Sequence, residues 1–304
     1  MDFPERILIL GGTGMLGHKL AQVLSPLAEV TVTVRGSADH WPASIPVAHV
    51  AEKIDVRKTA HLLNALDTYR PQAVINAVGV VKQVLGAHDP EDIVAVNALY
   101  PRILADLCAA SSLRLIHYST DCVYSGSAES ARGPLGYREI DAPDSRDLYG
   151  MTKLLGEPAA AGCMVLRTSI IGRELRGRNS LLEWFLASGE GPVKGFSRAL
   201  FTGLPTLELA RVTAKLLTDH SKMDGLWHVS APPIDKNALL GLIKVAFRRK
   251  TQIQPHDDFF CDRRLDGSRF AQRTNWTVPA WPDMIDALCE DAQNDESLYR
   301  VGVE

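Results

Sequence analysis

Arg6-Ile7-Leu8-Ile9-Leu10-Gly11-Gly12-Thr13-Gly14-Met15-Leu16-Gly17, near the start of the chain, is an apolar run followed directly by closely spaced glycines. Ile7–Leu10 is a short unbroken apolar run, which suits a strand buried on both faces. From Gly14 to Leu24 the pattern becomes helical. Gly11, Gly14 and Gly17 stand three apart between the two elements. A tight turn there needs a residue without Cβ. Close backbone approach to a pyrophosphate needs a second, and packing of the helix on the strand a third. The helix N-terminus then offers its N–H groups and positive dipole end to phosphate. The spacing is G-x-x-G-x-x-G rather than G-x-G-x-x-G, and its place after a first strand implies a dinucleotide cradle.

Working outward, further apolar runs at Val30–Val34, Val47–His49, Ala73–Ala77, Leu113–Tyr118 and Met164–Arg167 alternate with helical stretches at Arg57–Tyr69, Ile93–Ser111 and Asp147–Glu157. Such alternation predicts an α/β fold, a Rossmann-type doubly wound parallel sheet covered on both faces. After Arg167 the character changes. Residues 172–205 are rich in Gly, Arg and Ser, with a short apolar helix near Leu181–Leu186. Thr206–Leu217 and Gly225–Val229 read as a helix and strand returning to the sheet. A helix at Lys236–Phe247 leads into an irregular tail. The expected division is 1–170 plus about 205–230 as the NADP-binding Rossmann domain, with 171–204 and 231–304 as a smaller, mostly C-terminal α/β substrate-binding region. A ligand cleft is expected where that region meets the strand ends.

The 304 residues carry 46% hydrophobic and 23% charged side chains, as ordinary globular proteins do. A net charge of −3 with no long basic run argues against a nucleic-acid surface. The five cysteines, Cys108, Cys122, Cys163, Cys261 and Cys289, are scattered without metal-ligand spacing, so no metal site is expected and the thiols read as reduced. No apolar run approaches the ~20 residues of a membrane span, and no targeting segment precedes the first strand. The expectation is a cytoplasmic protein without membrane contact.

Tyr149 and Lys153, in Tyr149-Gly150-Met151-Thr152-Lys153, lie four apart and share a helix face. Reducing a ketone needs a hydride on carbon and a proton on oxygen. A free tyrosine holds its proton too tightly for ready exchange at neutral pH, and a neighbouring ammonium stabilises the phenolate. Thr120, at the end of a strand in Ser119-Thr120-Asp121-Cys122-Val123-Tyr124, is the candidate for holding the carbonyl oxygen, with Ser119 the alternative. Cofactor choice is read at the end of the second strand, where Val34-Arg35-Gly36-Ser37 presents a guanidinium in place of a carboxylate. Arg35 suits a 2′-phosphate, so NADPH is expected, with NADH the alternative.

Together with Asp55-Val56 and Asn76-Ala77-Val78-Gly79, these motifs resemble the extended short-chain dehydrogenase/reductase superfamily. Ser119-Thr120-Asp121, then Asp147-Leu148-Tyr149-Gly150-x-x-Lys153-x-x-Gly156-Glu157, is similar to the dTDP-4-dehydrorhamnose reductase family. Val96-Asn97-Ala98-x-x-Pro101, Leu166-Arg167-Thr168-Ser169 and Phe201-Thr202-Gly203-Leu204-Pro205-Thr206 fit that family's later segments. The resemblance spans about residues 6–285. It implies NADPH-dependent reduction of a 4-keto-6-deoxy nucleotide-sugar, with Thr120 orienting the carbonyl, Tyr149 donating the proton and Lys153 lowering its pKa. It implies that Gly11, Thr13, Gly14, Met15, Leu16 and Gly17 hold the pyrophosphate, that Asp55 and Val56 border the adenine, and that Ala77, Val78 and Gly79 pass the cofactor ribose. Asn97 would support the active site from its helix. A homodimer is compatible with the superfamily. Cys122 stands where a tyrosine is common, and Val78-Gly79-Val80-Val81-Lys82 replaces a more usual alanine-rich sequence, so the sugar stays open.

A nucleotide-sugar carries a pyrophosphate, so cations are expected on the substrate side. Arg173 and Arg198, with neighbours Arg176, Arg178 and Lys194, are candidates, as are Arg263, Lys82 and Asp121; Arg264 and Arg269 follow nearby. His18 and His117 read as structural. Trp184, Trp227, Trp276 and Trp281 read as core or interface residues, and Asp144, Asp147 and Glu157 as loop and cap acids. Two other functions stay open: an epimerase or dehydratase with tightly bound NAD, and a non-catalytic dinucleotide-binding regulatory subunit.

Overall fold

The computed structural model describes residues 3–128 and 133–299, so the extreme ends of the expected domain ranges lie outside the described residues. In chain order the strands are β1 (Arg6–Leu10), β2 (Glu29–Thr33), β3 (His49–Ala51), β4 (Ala73–Asn76), β5 (Arg114–Thr120), β6 (Cys163–Thr168), β7 (Ile170–Ile171), β8 (Pro192–Phe196), β9 (Ala199–Phe201), β10 (Leu204–Pro205), β11 (Gly225–His228), β12 (Ile234–Asp235), β13 (Gln252–His256) and β14 (Cys261–Asp262). The helices are α1 (Met15–Leu24), α2 (Thr59–Tyr69), α3 (Pro90–Val94), α4 (Tyr100–Ala110), α5 (Leu148–Leu155), α6 (Leu181–Ala187), α7 (Thr206–Thr218), α8 (Lys236–Ala246), α9 (Ser268–Thr274) and α10 (Trp281–Asn294).

Seven strands form one sheet in the order β11-β6-β5-β4-β1-β2-β3. The β3–β2, β2–β1, β1–β4 and β4–β5 pairs are parallel. The order reverses beside β1, and in such sheets ligands bind outside the carboxyl ends of the strands at that point. β1 and β4 are buried almost without interruption, which is why they read as continuous apolar runs. One core cluster joins Leu8, Leu10 and Val74 of the sheet to Leu62 and Ala65 of α2 and to Tyr100, Leu104 and Cys108 of α4.

By contacts the chain forms two compact units. The first holds residues 1–119, 147–166 and 206–226; the second holds 120–146, 167–205 and 227–304. Residues 120–146, which sequence reading places in the Rossmann domain, therefore cluster with the second unit. That segment's contacts are tertiary: Tyr137 N–H donates to Arg264 O at 2.7 Å, and Tyr124 OH accepts from Arg167 Nη1 at 2.8 Å.

Three local expectations are corrected. The third strand runs His49–Ala51 rather than Val47–His49, because its register sets His49, Val50 and Ala51 opposite Thr31, Val32 and Thr33 of β2. The tail is not irregular. α10 buries Trp281, Met284, Ile285, Leu288, Cys289 and Ala292, a helical stripe hidden in sequence among interleaved acids. Trp184 is not a core residue, since 43% of it is exposed on α6.

The helical stretch expected at Ile93–Ser111 is longer. α3, a π-helical turn at Ala95–Leu99 and α4 join into one 21-residue helix, Pro90–Ala110, in which an 18-residue stretch has mean hydropathy 1.4. Its length and composition would allow a membrane crossing, contrary to the sequence expectation that no apolar run approaches that length. In the structure it serves as a core helix, with Ile93, Ala98, Tyr100, Leu104, Ala105 and Cys108 buried.

Candidate active site

The glycine turn is built as its spacing requires. Gly11 has φ +85°, the left-handed region that favours glycine, and a Cβ there would meet Val78 Cγ2 at 2.9 Å. Its N–H donates to Thr33 Oγ1 at 3.1 Å, and Gly14 N–H donates to Gly11 O at 3.0 Å. A Cβ on Gly17 would stand 2.0 Å from Gly11 O, so only hydrogen lets α1 lie this close to the turn. Thr13 and Met15 are half-buried and Leu16 is buried beneath the helix. α1 has no acid in its first turn and no side-chain cap, which leaves its N-terminal N–H groups for an anion. The backbone thus fits a dinucleotide pyrophosphate.

At the end of β2, Arg35 is exposed and makes no hydrogen bond or ion pair among the described residues. Asp39, the nearest acid, accepts a bond from Ser37 OH at 2.9 Å. After β3, Asp55 holds Arg57 in a two-pronged pair, and this guanidinium bond keeps the Asp55 carboxyl low, at about 2. Arg57 also reaches Asp92 at 2.5 Å. Val56 is half-buried against the core.

After β4 the chain turns through Ala77, Val78 and Gly79. Asn76 Oδ1 accepts from Val78 N–H and from Tyr100 OH, each at 3.0 Å. A backbone N–H can only donate, so this amide's orientation is settled and its Nδ2 donates to His117 Nδ1 at 3.0 Å. The neutral imidazole therefore carries its proton on Nε2, an atom that is buried and unbonded. Burial first, and then the charge of Lys153, hold the His117 pKa well below the ordinary histidine value. His117 is structural as expected, but it also sits within the electrostatic reach of the candidate lysine. His18, on α1, bonds Gly14 O at 2.9 Å.

Asp147 caps α5 by accepting from Gly150 N–H at 2.8 Å, and its other oxygen accepts from Lys82 Nζ at 2.6 Å. Lys82, expected over the substrate, is thus tied to the cap of the helix that bears Tyr149. Tyr149 is half-buried in the first turn of α5. One turn on, Lys153 is 5% exposed and donates to Tyr118 O at 2.7 Å. Burial lowers its pKa to about 8, against the opposing pull of Glu157. A Cβ on Gly79 would approach Lys153 Nζ at 3.8 Å and Asn97 Oδ1 at 3.5 Å, so the ammonium lies beside the β4 turn.

Asn97 sits in the π-helical turn, where it accepts from Val80 N–H at 2.8 Å and donates to Val80 O at 3.0 Å. It is thus a brace for the β4 turn. The same residue's carbonyl would stand 1.9 Å from a Cβ on Gly156, so the glycine ending α5 lets that helix seat on the π-turn. Glu157 accepts from Ser119 OH at 2.5 Å, which makes it more than the cap acid that sequence reading assigns. Nothing in its sequence position marks it as the carboxylate facing Lys153.

In the second unit, Thr120 Oγ1 donates to Asp121 Oδ1 at 3.2 Å and accepts from Cys122 N–H at 3.1 Å. Burial raises the Asp121 pKa, against the pull of Arg263 and Lys236. Arg263 Nε donates to Tyr124 O at 2.9 Å. The other candidate cations are engaged in several places. Arg173 pairs with Glu183 at 2.6 Å and lies 4.5 Å over the Tyr299 ring, while Arg198 lies 5.3 Å over Phe260. Lys194, Arg264 and Arg269 pair with Asp258, Asp262 and Glu139. Arg176 and Arg178 are exposed on a pocket with Arg173 and Tyr299. Asp144 accepts from Ser125 N–H and OH, as a loop acid should. No cluster of three metal-type ligands occurs among the described residues.

Residues 5–236 match the RmlD substrate binding domain family. The chain belongs to that family. Among its relatives, a probable low-salt glycan biosynthesis reductase of Haloferax volcanii is 28% identical over 234 residues, 73% of each chain. The dTDP-4-dehydrorhamnose reductase of Streptomyces griseus is 32% identical over 155 residues, covering 51% of this chain and 44% of that one. The chain's match thus spans about half the length of such dehydrorhamnose reductases. The solved dTDP-4-dehydrorhamnose reductase of Bacillus anthracis, in complex with NADP, superposes with a TM-score of 0.76 at 19% identity, covering 94% of this chain and 99% of that one. WbmG of Bordetella bronchiseptica, in complex with NAD, gives 0.77 at 18% identity, covering 100% and 98%. These likenesses establish the fold. The RmlD family match contains the glycine turn, Thr120, Tyr149 and Lys153, and ends at the start of α8.

Proposed function

We propose that the chain is an NADPH-dependent reductase of a 4-keto-6-deoxy nucleotide-sugar. The observation that carries this reading is a buried ammonium, Lys153, one helical turn from Tyr149 and beside the β4 turn. The names of the curated relatives, sugar reductases acting on dTDP-linked ketones, support the substrate class. NADPH supplies the hydride when bound. The backbone of Gly11–Gly17 binds its pyrophosphate, and Ala77–Gly79 borders its ribose. Tyr149 gives its phenolic proton to the carbonyl oxygen, and Lys153, with little water around it, stabilises the phenolate left behind. Asn97 and Asp147 brace the turn and the helix that carry these groups. Since Lys153 loses its charge near pH 8, reduction falls as pH rises through that value.

The test is NADPH oxidation against a panel of 4-keto-6-deoxy nucleotide-sugars with dTDP, UDP, GDP and CDP carriers. Turnover on one of them is expected. Silence across the panel, with NADPH bound, rejects the reading.

Arg35 carries the coenzyme preference. An exposed guanidinium at the end of β2 suits a 2′-phosphate bidentately. Arg35→Ala is expected to raise the KM for NADPH about tenfold, the equivalent of one charge-assisted bond, and to leave the KM for NADH within about twofold. A wild-type KM for NADPH no lower than that for NADH overturns the preference.

A further inference from the structure

Thr120 has one hydroxyl proton, and with Asp121 ionised the 3.2 Å contact directs it to Asp121 Oδ1. The lone pair facing the chain is taken by Cys122 N–H. A hydroxyl so arranged can accept from an alcohol, but it has nothing left to donate to a ketone. Orienting a carbonyl oxygen needs that donated proton. It becomes available when the Asp121 carboxyl is itself protonated, since the acid then donates to Thr120 Oγ1 and the threonine O–H turns outward. With Asp121 ionised, the same rotation would set an oxygen lone pair against a carboxylate in a buried site.

We infer that Asp121 is a positioning residue whose protonation state sets the direction of the Thr120 hydroxyl, ketone reduction using the protonated form and alcohol oxidation the ionised form. This rests on the proposed reductase function, with Thr120 in the carbonyl-orienting role that the family resemblance implies. The change takes up one proton from solvent at the Asp121 carboxylate, while the Thr120 hydroxyl keeps its own proton and only rotates. The carboxyl O–H···Oγ and Oγ–H···O=C bonds replace one Oγ–H···carboxylate bond.

The surroundings suit such a switch. Asp121 is buried, with 8% of its surface exposed. The groups facing it come from three elements. Thr120 and the Cys122 thiol lie on its own turn, Lys236 opens α8, and Arg263 follows β14. Burial pushes Asp121 up and Lys236 down from their ordinary values, so each moves toward its neutral form. Lys236 also lies 5.4 Å over the Phe201 ring. Arg263 and Lys236 oppose the rise at Asp121, because both cations favour its ionised form.

The experiment is the pH profile of kcat/KM for NADPH-dependent reduction of dTDP-4-keto-6-deoxy sugar, in wild type, Asp121→Asn and Thr120→Ala. An asparagine amide donates to Thr120 at every pH. The wild-type profile should fall with rising pH, and in Asp121→Asn its midpoint should move up by about one pH unit or more, toward the limb that Lys153 sets. Thr120→Ala, though slow, should lose the same limb, because the hydroxyl that reports on Asp121 is gone; it serves if Asp121→Asn fails to fold. An Asp121→Asn midpoint matching wild type, or a Thr120→Ala profile that keeps the limb, overturns the inference while leaving the reductase reading intact. Absence of wild-type turnover rejects both.

Discussion

Tyr149→Phe is expected to lower kcat at least ~10³-fold while leaving the Kd for NADPH within about twofold. The substitution removes one oxygen and keeps the ring, so α5 and its Asp147 cap should be undisturbed. What is lost is the only proton assigned to the carbonyl oxygen. General acids contribute typically ~10²–10⁴-fold, or about 3–5 kcal/mol of barrier. The upper part of that range is expected because the neighbouring cation is buried: Lys153 reaches Tyr118 O from a site with 5% exposure. A charge acts more strongly through such a medium than through water. Lys153→Met separates the two contributions, since it keeps the stem and removes the ammonium. Its rate should fall less than that of Tyr149→Phe, and its profile should lack the limb near pH 8. Stopped-flow and steady-state absorbance of NADPH read both variants. Retention of more than about a tenth of wild-type turnover in Tyr149→Phe would remove the tyrosine from its assigned role.

Gly17→Ala is the second substitution with a large expected effect, and here the target is cofactor binding and stability together. The added methyl would sit 2.0 Å from Gly11 O, 2.8 Å from Gly11 C and 3.1 Å from Gly12 Cα, all backbone. No rotamer change relieves such contacts, so α1 must lift from the turn. Overpacking of this kind costs about 3 kcal/mol, which lowers Tm by roughly 6–12 °C in a unit of this size. The Kd for NADPH should rise at least ~100-fold, because the N–H groups of α1 no longer face the turn. Gly14→Ala is the matched control. A Cβ there meets Gly11 O at 3.3 Å and Ala77 O at 3.9 Å, a contact that needs a shift of a few tenths of an ångström. Calorimetry and NADPH titration should rank Gly17→Ala far below Gly14→Ala. Equal behaviour of the two would mean that the three glycines are not divided into turn, approach and packing roles.

Much of this was legible in sequence because the relevant physics is local. β1 and the helix after it follow from an apolar run, three glycines and a helical period, and the structure sets them at Arg6–Leu10 and Met15–Leu24. The i, i+4 spacing of Tyr149 and Lys153 also needs nothing beyond a helix. The tail was misread for a physical reason as well. α10 is a stripe of apolar residues separated by acids, and neither its Pro282 nor its charges announce a buried face. The long helix at Pro90–Ala110 was undercounted because Pro90 and Pro101 punctuate it, although one serves at its start and the other beside a π-turn.

The glycine turn, the strands of the parallel sheet, the tyrosine–lysine helix and the cation at the end of β2 are written in the chain locally, since each depends on steric or periodic rules that operate within a few residues. Which groups face the reactive ones is settled by long-range packing. Glu157 meets Ser119 across 38 positions, Asn97 braces Val80 across 17, and Asn76 dictates the tautomer of His117 across 41. Folding also sets the Thr120 hydroxyl and Asp121, which share a hydrogen bond, beside cations drawn from positions 236 and 263. Proton positions and pKa values depend on burial and on distant charges, and neither exists until the chain has folded.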